Sequence, residues 1–320
     1  MSNRLREIAS ALAGNLGLVG VADVHMLTRS GAYEPYSYWE QWSHADKPSF
    51  HTDIETALGL MTENRNDVLL ISPDSHSQAD SITWDKNITH LIGMYPPAMI
   101  GHRARIGHSA NFDKLLDITG YGCLFANFEL QYGRGNAANL TCLQVTGNRN
   151  TFRNVYVGGP FNATEADEAA FKVVQFSETS GGDGLEHYFK DCTIGGDTVA
   201  WTDGTMFKTY GTPRLVFENC LFLMNADNAQ VTFFNGTAGD GAGFVLLKNS
   251  TGINRGSALT YAIGSTGIAS ATDYIIHNSG FTGVTDLIAA ADEAKAIMVA
   301  GTGILADENI GLGIAFDHTA

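Results

Sequence analysis

The stretch RLVFENCLFLMN, residues 214–225, has the composition of a buried strand but carries Glu218, Asn219 and Cys220 at its centre. A polar amide in the core needs hydrogen-bond partners, because an unpaired buried donor or acceptor costs about 1 to 3 kcal/mol. One isolated strand does not supply them. The stretch therefore predicts that related segments lie beside it.

Five further segments repeat this pattern of an apolar residue, a usually polar residue, Asn or Asp, and a second strand-like run. They are CLFANFEL from residue 123, NTFRNVYVGG from 150, EHYFKDCTIGG from 186, FVLLKNSTGI from 244 and DYIIHNSGFTG from 273. The shared polar positions are Asn127, Asn154, Asp191, Asn219, Asn249 and Asn278, separated by 27, 37, 28, 30 and 29 residues. A period near 30 is typical of the stacked units of a solenoid.

The strand pattern supports an all-β solenoid. Short apolar runs such as VLLIS (68–72) and FKVVQF (171–176) are not separated by a regular helical pattern, which excludes a doubly wound α/β sheet. An antiparallel sandwich is the other arrangement, but it would not need Asn at one phase of every repeat. We expect the Asn side chains to form a buried ladder that bonds the backbone of adjacent coils, and Cys192 and Cys220 to act as small apolar core residues.

Composition narrows the class of protein. The chain has 320 residues, 36 of them Gly, and only 17% are charged, which favours β structure with many turns. A net charge of -15 argues against nucleic-acid and anionic-membrane partners, because binding phosphate needs clustered Lys and Arg. The four Cys residues show no CxxC spacing, so neither a zinc site nor disulfides are predicted.

The segment TDIETALGLMTENRNDVLLISPDSHSQADSITWDKNITHLIGM, residues 52–94, resembles the opening helix, first strand and first coil of the pectate-lyase-like superfamily. The resemblance covers roughly residues 50–285 and implies a single-stranded right-handed parallel β-helix. It is one of architecture and brings no catalytic motif with it. Thr52 and Glu55 are predicted to form a capping box for a helix over 53–62 that closes the open end.

Three regions follow from these patterns. Residues 1–50 are predicted to form an N-terminal helix and an aromatic-rich arm, and residues 51–285 the β-helix. Residues 286–320 are predicted to form a short helix, starting at DLIAAADEAKAIMVA, and a Gly-rich tail. The first residues, MSNRLREIASALAGNLGLVG, have the spacing of an amphipathic helix rather than the apolar run of a signal peptide.

The densest group of candidate catalytic residues lies in SGGDGLEHYFKDCTIGGDTVAWTDG, residues 180–204. Carboxylates on neighbouring coils can pair, and polysaccharide-cleaving enzymes use such pairs as acid and base or nucleophile. Glycine neighbours favour a turn instead for the aspartates of GGDG, GGDT and TDGT. The candidates are Asp183, Glu186, His187, Asp191, Asp197 and Asp203.

Other polar candidates are weaker. Gly101-His102 and Gly107-His108 resemble the GHG element of polygalacturonase-like hydrolases, but neither pair is followed by Gly. Arg103 and Arg105 resemble the arginine base of β-helix lyases, but the acidic calcium cluster that those enzymes need is missing. The histidines His25, His44, His51 and His90 are scattered without a ligand spacing, so we expect surface or turn residues.

The segment YEPYSYWEQW places five aromatic residues within ten positions. Such density favours a protein interface or stacking on sugar rings. Alternatively the rings cover the flank of the solenoid and bury apolar area there. The residues are Tyr33, Tyr36, Tyr38, Trp39 and Trp42.

These features predict a phage capsid decoration (cement) protein, similar to β-helical proteins that sit as trimers over capsomer junctions. Its partner would be the major capsid protein, its assembly a homotrimer, and its location the capsid surface after synthesis in the host cytoplasm. No catalytic residue, metal or cofactor is predicted. A tailspike-like polysaccharide hydrolase or lyase and a non-enzymatic glycan-binding solenoid are the alternatives, although the flanks are short for a tailspike.

Overall fold

In the computed structural model, the chain winds into a β-helix with one strand of each coil in each of three parallel sheets. The structure describes residues 7, 11, 14–15, 20–28, 50–94, 104–133, 135, 140–177, 184–210, 214–236, 243–264, 272–288 and 296–299. Within each sheet from β3 onward, every strand except the end strands pairs with the strand one coil earlier and the strand one coil later. The predicted all-β right-handed parallel β-helix is confirmed.

The sheets are called A, B and C in the order in which a coil visits them. Sheet A contains, in spatial order, β2 (Phe50–His51), β1 (Val24–Leu27), β3 (Asp67–Ile71), β6 (Thr89–Gly93), β9 (Leu124–Ala126), β12 (Thr151–Arg153), β15 (His187–Lys190), β18 (Arg214–Glu218), β21 (Gly243–Lys248), β24 (Thr272–His277) and β27 (Ala296–Val299). Sheet B contains β4 (Ser75–Gln78), β7 (Arg105–His108), β10 (Glu129–Leu130), β13 (Tyr156–Val157), β16 (Thr193–Trp201), β19 (Leu221–Ala226), β22 (Thr251–Asn254) and β25 (Gly280–Thr282). Sheet C contains β5 (Ile82–Trp84), β8 (Lys114–Ile118), β11 (Thr141–Val145), β14 (Lys172–Phe176), β17 (Thr205–Thr209), β20 (Thr232–Gly236), β23 (Leu259–Gly264) and β26 (Val284–Ile288).

Within residues 50–299, the described part of the chain contains two short helices, α1 (Ile54–Leu60) and α2 (Ala163–Ala166). The predicted capping box is wrong by one residue: Asp53, not Thr52, caps α1 and accepts a hydrogen bond from the amide of Thr56. Glu55 instead accepts from the amide of Thr83 in β5 at 2.6 Å. Its carboxylate therefore joins the helix to the first strand of sheet C. Among the described residues, no helix is long and apolar enough to cross a membrane.

The repeated Asn positions form the corner between sheets A and B. All six have a positive φ, between +47° and +60°, a conformation that Asn tolerates better than most side chains. This geometry explains why the repeat selects Asn at one phase. The six corner residues are Asn127, Asn154, Asp191, Asn219, Asn249 and Asn278.

The corner side chains bond one another rather than the backbone, so that part of the ladder prediction is wrong. Asn219 donates to the carboxylate of Asp191 at 3.1 Å, and Asn278 donates to Asn249 at 2.8 Å. Asn154 likewise donates to Asn127 at 3.0 Å. Most of these side chains are exposed or partly exposed, and only Asn127 is buried. The corner amides do not sit in the core because the positive φ turns the chain outward there.

Replacing Asn219 with Leu is expected to lower the free energy of unfolding by about 2 to 3 kcal/mol. A left-handed conformation costs such a residue about 1 to 2 kcal/mol, and the lost hydrogen bond to Asp191 adds about 1 kcal/mol. Urea unfolding measures the effect. Asn219→Gly is the matched control, because Gly adopts the positive φ without strain and loses only the hydrogen bond to Asp191. An equal loss of stability in both variants would show that the backbone conformation is not the cause.

The core is a set of stacked rows inside the tube. Phe152 lies 4.3 Å from Phe189, ring centroid to centroid, and Phe125 and Phe217 continue the row at 5.1 and 5.0 Å. Cys192 and Cys220 are buried, as predicted. The Cys220 thiol donates to the carbonyl of Phe189, so it also satisfies a backbone group. Like residues stack because each coil repeats the path of the coil before it.

The ends of the solenoid differ from the sequence prediction. The predicted helix after residue 286 is wrong in its described parts, because residues 286–288 belong to β26 and residues 296–299 form β27. At the other end, β1 pairs in parallel with β3, so the sheet starts before residue 51. Residues 29–49 and 300–320 lie outside the described residues. So does most of the N-terminal helix, of which residues 7, 11, 14 and 15 are described and helical.

Sheet A also carries apolar residues on its outer face. In its first strands these form a second cluster, separate from the core inside the tube, with no side chain more than 4% exposed. Val21 and Met94 pack against it. The outer face of sheet A is therefore apolar and almost wholly buried at the start of the solenoid. The cluster comprises Val24, Met26, Val68, Leu70, Ile92, Leu124 and Ala126.

Candidate functional site

The structure disperses the acidic residues that the sequence singled out. Glu186 lies before β15 on the sheet A side, where Arg149 and Arg214 donate to it at 2.6 and 2.9 Å. Asp197 lies in β16 of sheet B, so the turn predicted for it is wrong, and it pairs with Arg255 at 2.8 Å. The guanidinium groups lower the pKa of Glu186, mainly through the hydrogen bond from Arg149. These carboxylates are held as ion pairs on different faces of the solenoid.

The other described members of that group, Asp191, Asp203 and His187, occupy a corner, a turn and the core. Asp203 accepts from the amide of Gly204 at 2.7 Å, which confirms the predicted turn. Asp191 is the corner residue described above. His187 is fully buried, and its Nδ1 accepts from the amide of Asn150 at 3.3 Å. Asp183 lies outside the described residues.

Three of the scattered histidines are buried, so the prediction of surface or turn positions is wrong for them. Nδ1 of His25 lies 3.2 Å from Nε2 of His51, and burial lowers the pKa of both rings. His90 bonds Oδ1 of Asn66, and its Nδ1 accepts from the amide of Leu124, each at 3.0 Å. Burial lowers the pKa of His90 to about 4. These rings bridge adjacent segments of the first coils. His44 lies outside the described residues.

Arg105 and His108 are also built into the scaffold. Arg105 donates through Nε to Glu129 at 2.9 Å, and Glu129 is 3% exposed. Nε2 of His108 accepts from the amide of Gly133, and its Nδ1 donates to the carbonyl of Ala110. Both ring nitrogens are therefore engaged. Gly101, His102 and Arg103 lie outside the described residues.

A groove of about 270 Å³ opens on sheet B next to His108. It exists because small residues occupy the outer face, and a side chain at Gly107 would meet only the carbonyl of Gln131, at 3.7 Å. The described residues that line it include no Asp, Glu, Lys or Arg, which suits a neutral polar ligand better than an ion. They are Ser75, His76, Ser77, Gly107, His108, Gln131 and Gly133.

A row of polar side chains follows the middle of sheet C, one from each coil. Its members are paired in register, and the residues that alternate with them, such as Leu143 and Phe207, point into the core. Lys208 donates to Oδ1 of Asn235 at 2.9 Å, and Gln175 donates to the carbonyl of Ser177 at 3.0 Å. The row runs through Thr83, Asp117, Gln144, Gln175, Lys208 and Asn235.

Lysines concentrate on the same sheet. Lys114 and Lys172 start strands two coils apart and both pair with Thr141 between them. Lys114 bonds Asp117 at 3.2 Å. The pKa of Lys172 is lowered by burial and by Lys114, and the pKa of Lys208 is lowered by burial and by Lys172. An anion bound here would offset the repulsion among these lysines.

Sequence reasoning missed this row. Its residue types differ from coil to coil, so no repeated letter marks it. The signal that could have found it is positional: from Asp117 onward, each polar residue follows two buried apolar residues in the last strand of its repeat, as in TCLQV and KVVQF. Among the described residues, no group of three His, Cys, Asp or Glu side chains is placed to hold a metal ion. The aromatic residues Tyr33, Tyr36, Tyr38, Trp39 and Trp42 lie outside the described residues.

Comparison with known proteins agrees with the fold. No family model matches the chain, and a search of curated proteins finds no match. Solved structures do match, and they place the chain among right-handed parallel β-helix proteins.

The pectin methylesterase of Aspergillus niger matches with a TM-score of 0.58 and 14% identity, over 92% of this chain and 93% of that one. The pectate lyase Pel9A matches with a TM-score of 0.53 and 8% identity, over 92% and 80%. ORF18 of Geobacillus virus E2 gives a TM-score of 0.39 at 9% identity over 78% and 57%, too low to support an argument. At these identities the likeness shows the fold alone.

Proposed function

We propose that the protein is a structural component of a phage virion, a decoration protein that binds the outside of the capsid and stabilises it. The observation that carries the proposal is the set of ion pairs and hydrogen bonds that the candidate catalytic carboxylates make. Glu186, Asp197 and Asp203 are each committed to a cation or a turn on separate parts of the solenoid. They serve the stability of a stacked tube. Such a tube, cross-linked from coil to coil, suits a mechanical role.

The aromatic arm is the segment proposed to bind the capsid. Because β1 pairs with β3, removing residues 1–50 would strip a strand from sheet A and expose its neighbours. The sharper variant replaces residues 29–49 with a Gly-Ser linker, since β1 and β2 are already neighbours in the sheet. We expect this variant to keep the melting temperature of the wild type and to lose co-sedimentation with heads. Full binding by the variant would contradict the proposed role of the arm.

A second function is supported by the lysines of sheet C, namely binding of an acidic polysaccharide without cleavage. Pectin methylesterases and a pectate lyase share the fold, and pectin-type chains carry carboxylates that could meet Lys172 and Lys208.

Replacing Lys172 and Lys208 together with Gln is expected to weaken binding of polygalacturonate at least tenfold, because two partly buried charges would be removed. Calorimetry with a defined oligosaccharide measures the affinity. Lys190→Gln and Lys248→Gln on sheet A form the matched control and should leave affinity unchanged. If the wild type binds no acidic glycan, this second function is wrong. Release of new sugar ends or of methanol would favour an enzyme instead.

A further inference from the structure

Beyond the first coils, the outer face of sheet A presents an apolar row that the described structure leaves partly exposed. The row takes one side chain from each of β15, β18, β21 and β24, and the strands pair so that these residues are direct neighbours. Their alternating partners, such as Phe189 and Phe217, fill the core. The members of the row are Tyr188, Val216, Leu246 and Ile275, and Phe244 lies beside it.

Charged residues border this row on both sides. Lys248 pairs with Glu218 at 3.2 Å on one side, and Arg214 pairs with Glu186 at 2.9 Å on the other. An apolar centre inside a charged border is the usual anatomy of a protein interface. The rows on either side are Arg153, Lys190, Glu218, Lys248 and His277, and Arg149, Glu186, Arg214 and Asp273.

The charge of this face sets it apart from the rest of the molecule. Its two borders contain five basic residues and three acidic ones, which gives 5 − 3 = +2. The whole chain carries -15, so the remainder carries -17. Two copies that approach through other surfaces therefore repel each other, whereas this face, with its charges largely paired, lets a second copy come close.

The spacing of the row also fits a second copy. Side chains repeat along the outer face at the distance between neighbouring strands, about 4.8 Å. A second β-helix of the same kind carries rows with the same repeat, so its side chains can fill the gaps along the whole length. At the start of the solenoid the outer face of the same sheet is apolar and almost wholly buried, with Val21 and Met94 packed against it.

We propose that the outer face of sheet A, from β15 to β24, is the surface through which copies of this chain associate. The sequence-based prediction of a homotrimer named no surface, and this face supplies one that can close around a symmetry axis parallel to the solenoid. The proposal stands apart from head binding: a chain that associates but does not bind heads would overturn only the decoration function.

Sedimentation velocity on the full chain tests the proposal. The wild type is expected to run as a closed oligomer, and Leu246→Glu as a monomer, because each buried carboxylate would lose its water without gaining a partner. Ile253→Glu places the same change on the partly exposed outer face of sheet B and should leave the oligomer intact. Far-UV circular dichroism confirms that each variant is folded.

Three results would overturn the proposal. They are a wild type that stays monomeric up to its solubility limit, a Leu246→Glu variant that is folded and still oligomeric, or an Ile253→Glu variant that dissociates equally. If Leu246→Glu does not fold, the double variant Leu246→Thr and Ile275→Thr replaces it, because Thr keeps the β propensity and removes most of the apolar surface. We expect that variant to lower the association constant of the oligomer at least tenfold.

Discussion

Replacing Phe189 with Ala is expected to lower the free energy of unfolding by about 3 to 5 kcal/mol. Phe189 lies at the centre of the aromatic row, with ring centroids 4.3 Å from Phe152 and 5.0 Å from Phe217. Its side chain is fully buried, and Phe176 contacts it edge-on from sheet C. Removing the ring leaves a cavity that the coils above and below cannot fill, because the hydrogen-bonded sheets fix their spacing.

Equilibrium unfolding in urea measures this effect. Lys190→Ala is the control, since Lys190 follows Phe189 on the same strand but points to the outside; we expect a change of less than about 0.5 kcal/mol. If the two variants lose similar amounts, the row of stacked rings does not hold the coils together. A loss in Phe189→Ala that is confined to a few coils would show as a change in the slope of the transition as well as its midpoint.

Acidification from pH 6.5 to pH 4 is expected to destabilise the fold through two buried histidines. His90 and His187 each use Nδ1 to accept a backbone amide, so the folded state requires the neutral ring. Burial lowers the pKa of both to about 4, against 6.5 for an exposed ring. Between pH 6.5 and pH 4 these two rings bind protons in the unfolded chain but stay neutral in the folded chain, so acidification favours unfolding. Each ring therefore contributes a loss of about 3 kcal/mol, complete near pH 4.

Urea unfolding at several pH values measures whether stability falls on acidification and over which pH range it falls. Stability from these groups is fully present above pH 6.5 and falls as the pH drops towards 4. His187→Gln keeps an acceptor for the amide of Asn150 without a titrating ring, so its pH dependence should be shallower by about 3 kcal/mol. A variant that follows the wild-type curve at every pH would show that His187 is not held neutral.

The repeat made most of the fold predictable from sequence. Asn219 and its counterparts stand where the backbone takes a positive φ, so Asn, or Asp at residue 191, marks the same corner in six coils. What the repeat could not show is how the corner side chains bond, since that depends on their exposure. The first and last strands were missed for a related reason. VHML (24–27) and AIMV (296–299) have no corner Asn, and their pairing depends on the strands beside them.

The candidate sites were harder to predict. Asp197 and Glu186 are close in sequence, but a coil of three sheets sends them to different faces, where arginines from other coils neutralise them. Lys172 and Lys208 are far apart in sequence, yet the stacking of coils puts their strands side by side. A sequence shows the residue types; only the register between coils shows which of them meet.

The copy number of the protein in purified virions tests the central proposal most directly. Quantitative mass spectrometry of intact particles, compared with the major capsid protein in the same sample, gives the ratio. A decoration protein is expected in a simple, high ratio to the capsid subunit, and that ratio should fall when the linker replaces residues 29–49. A protein that is missing from virions, or present only in the few copies typical of a tail fibre, would contradict the account.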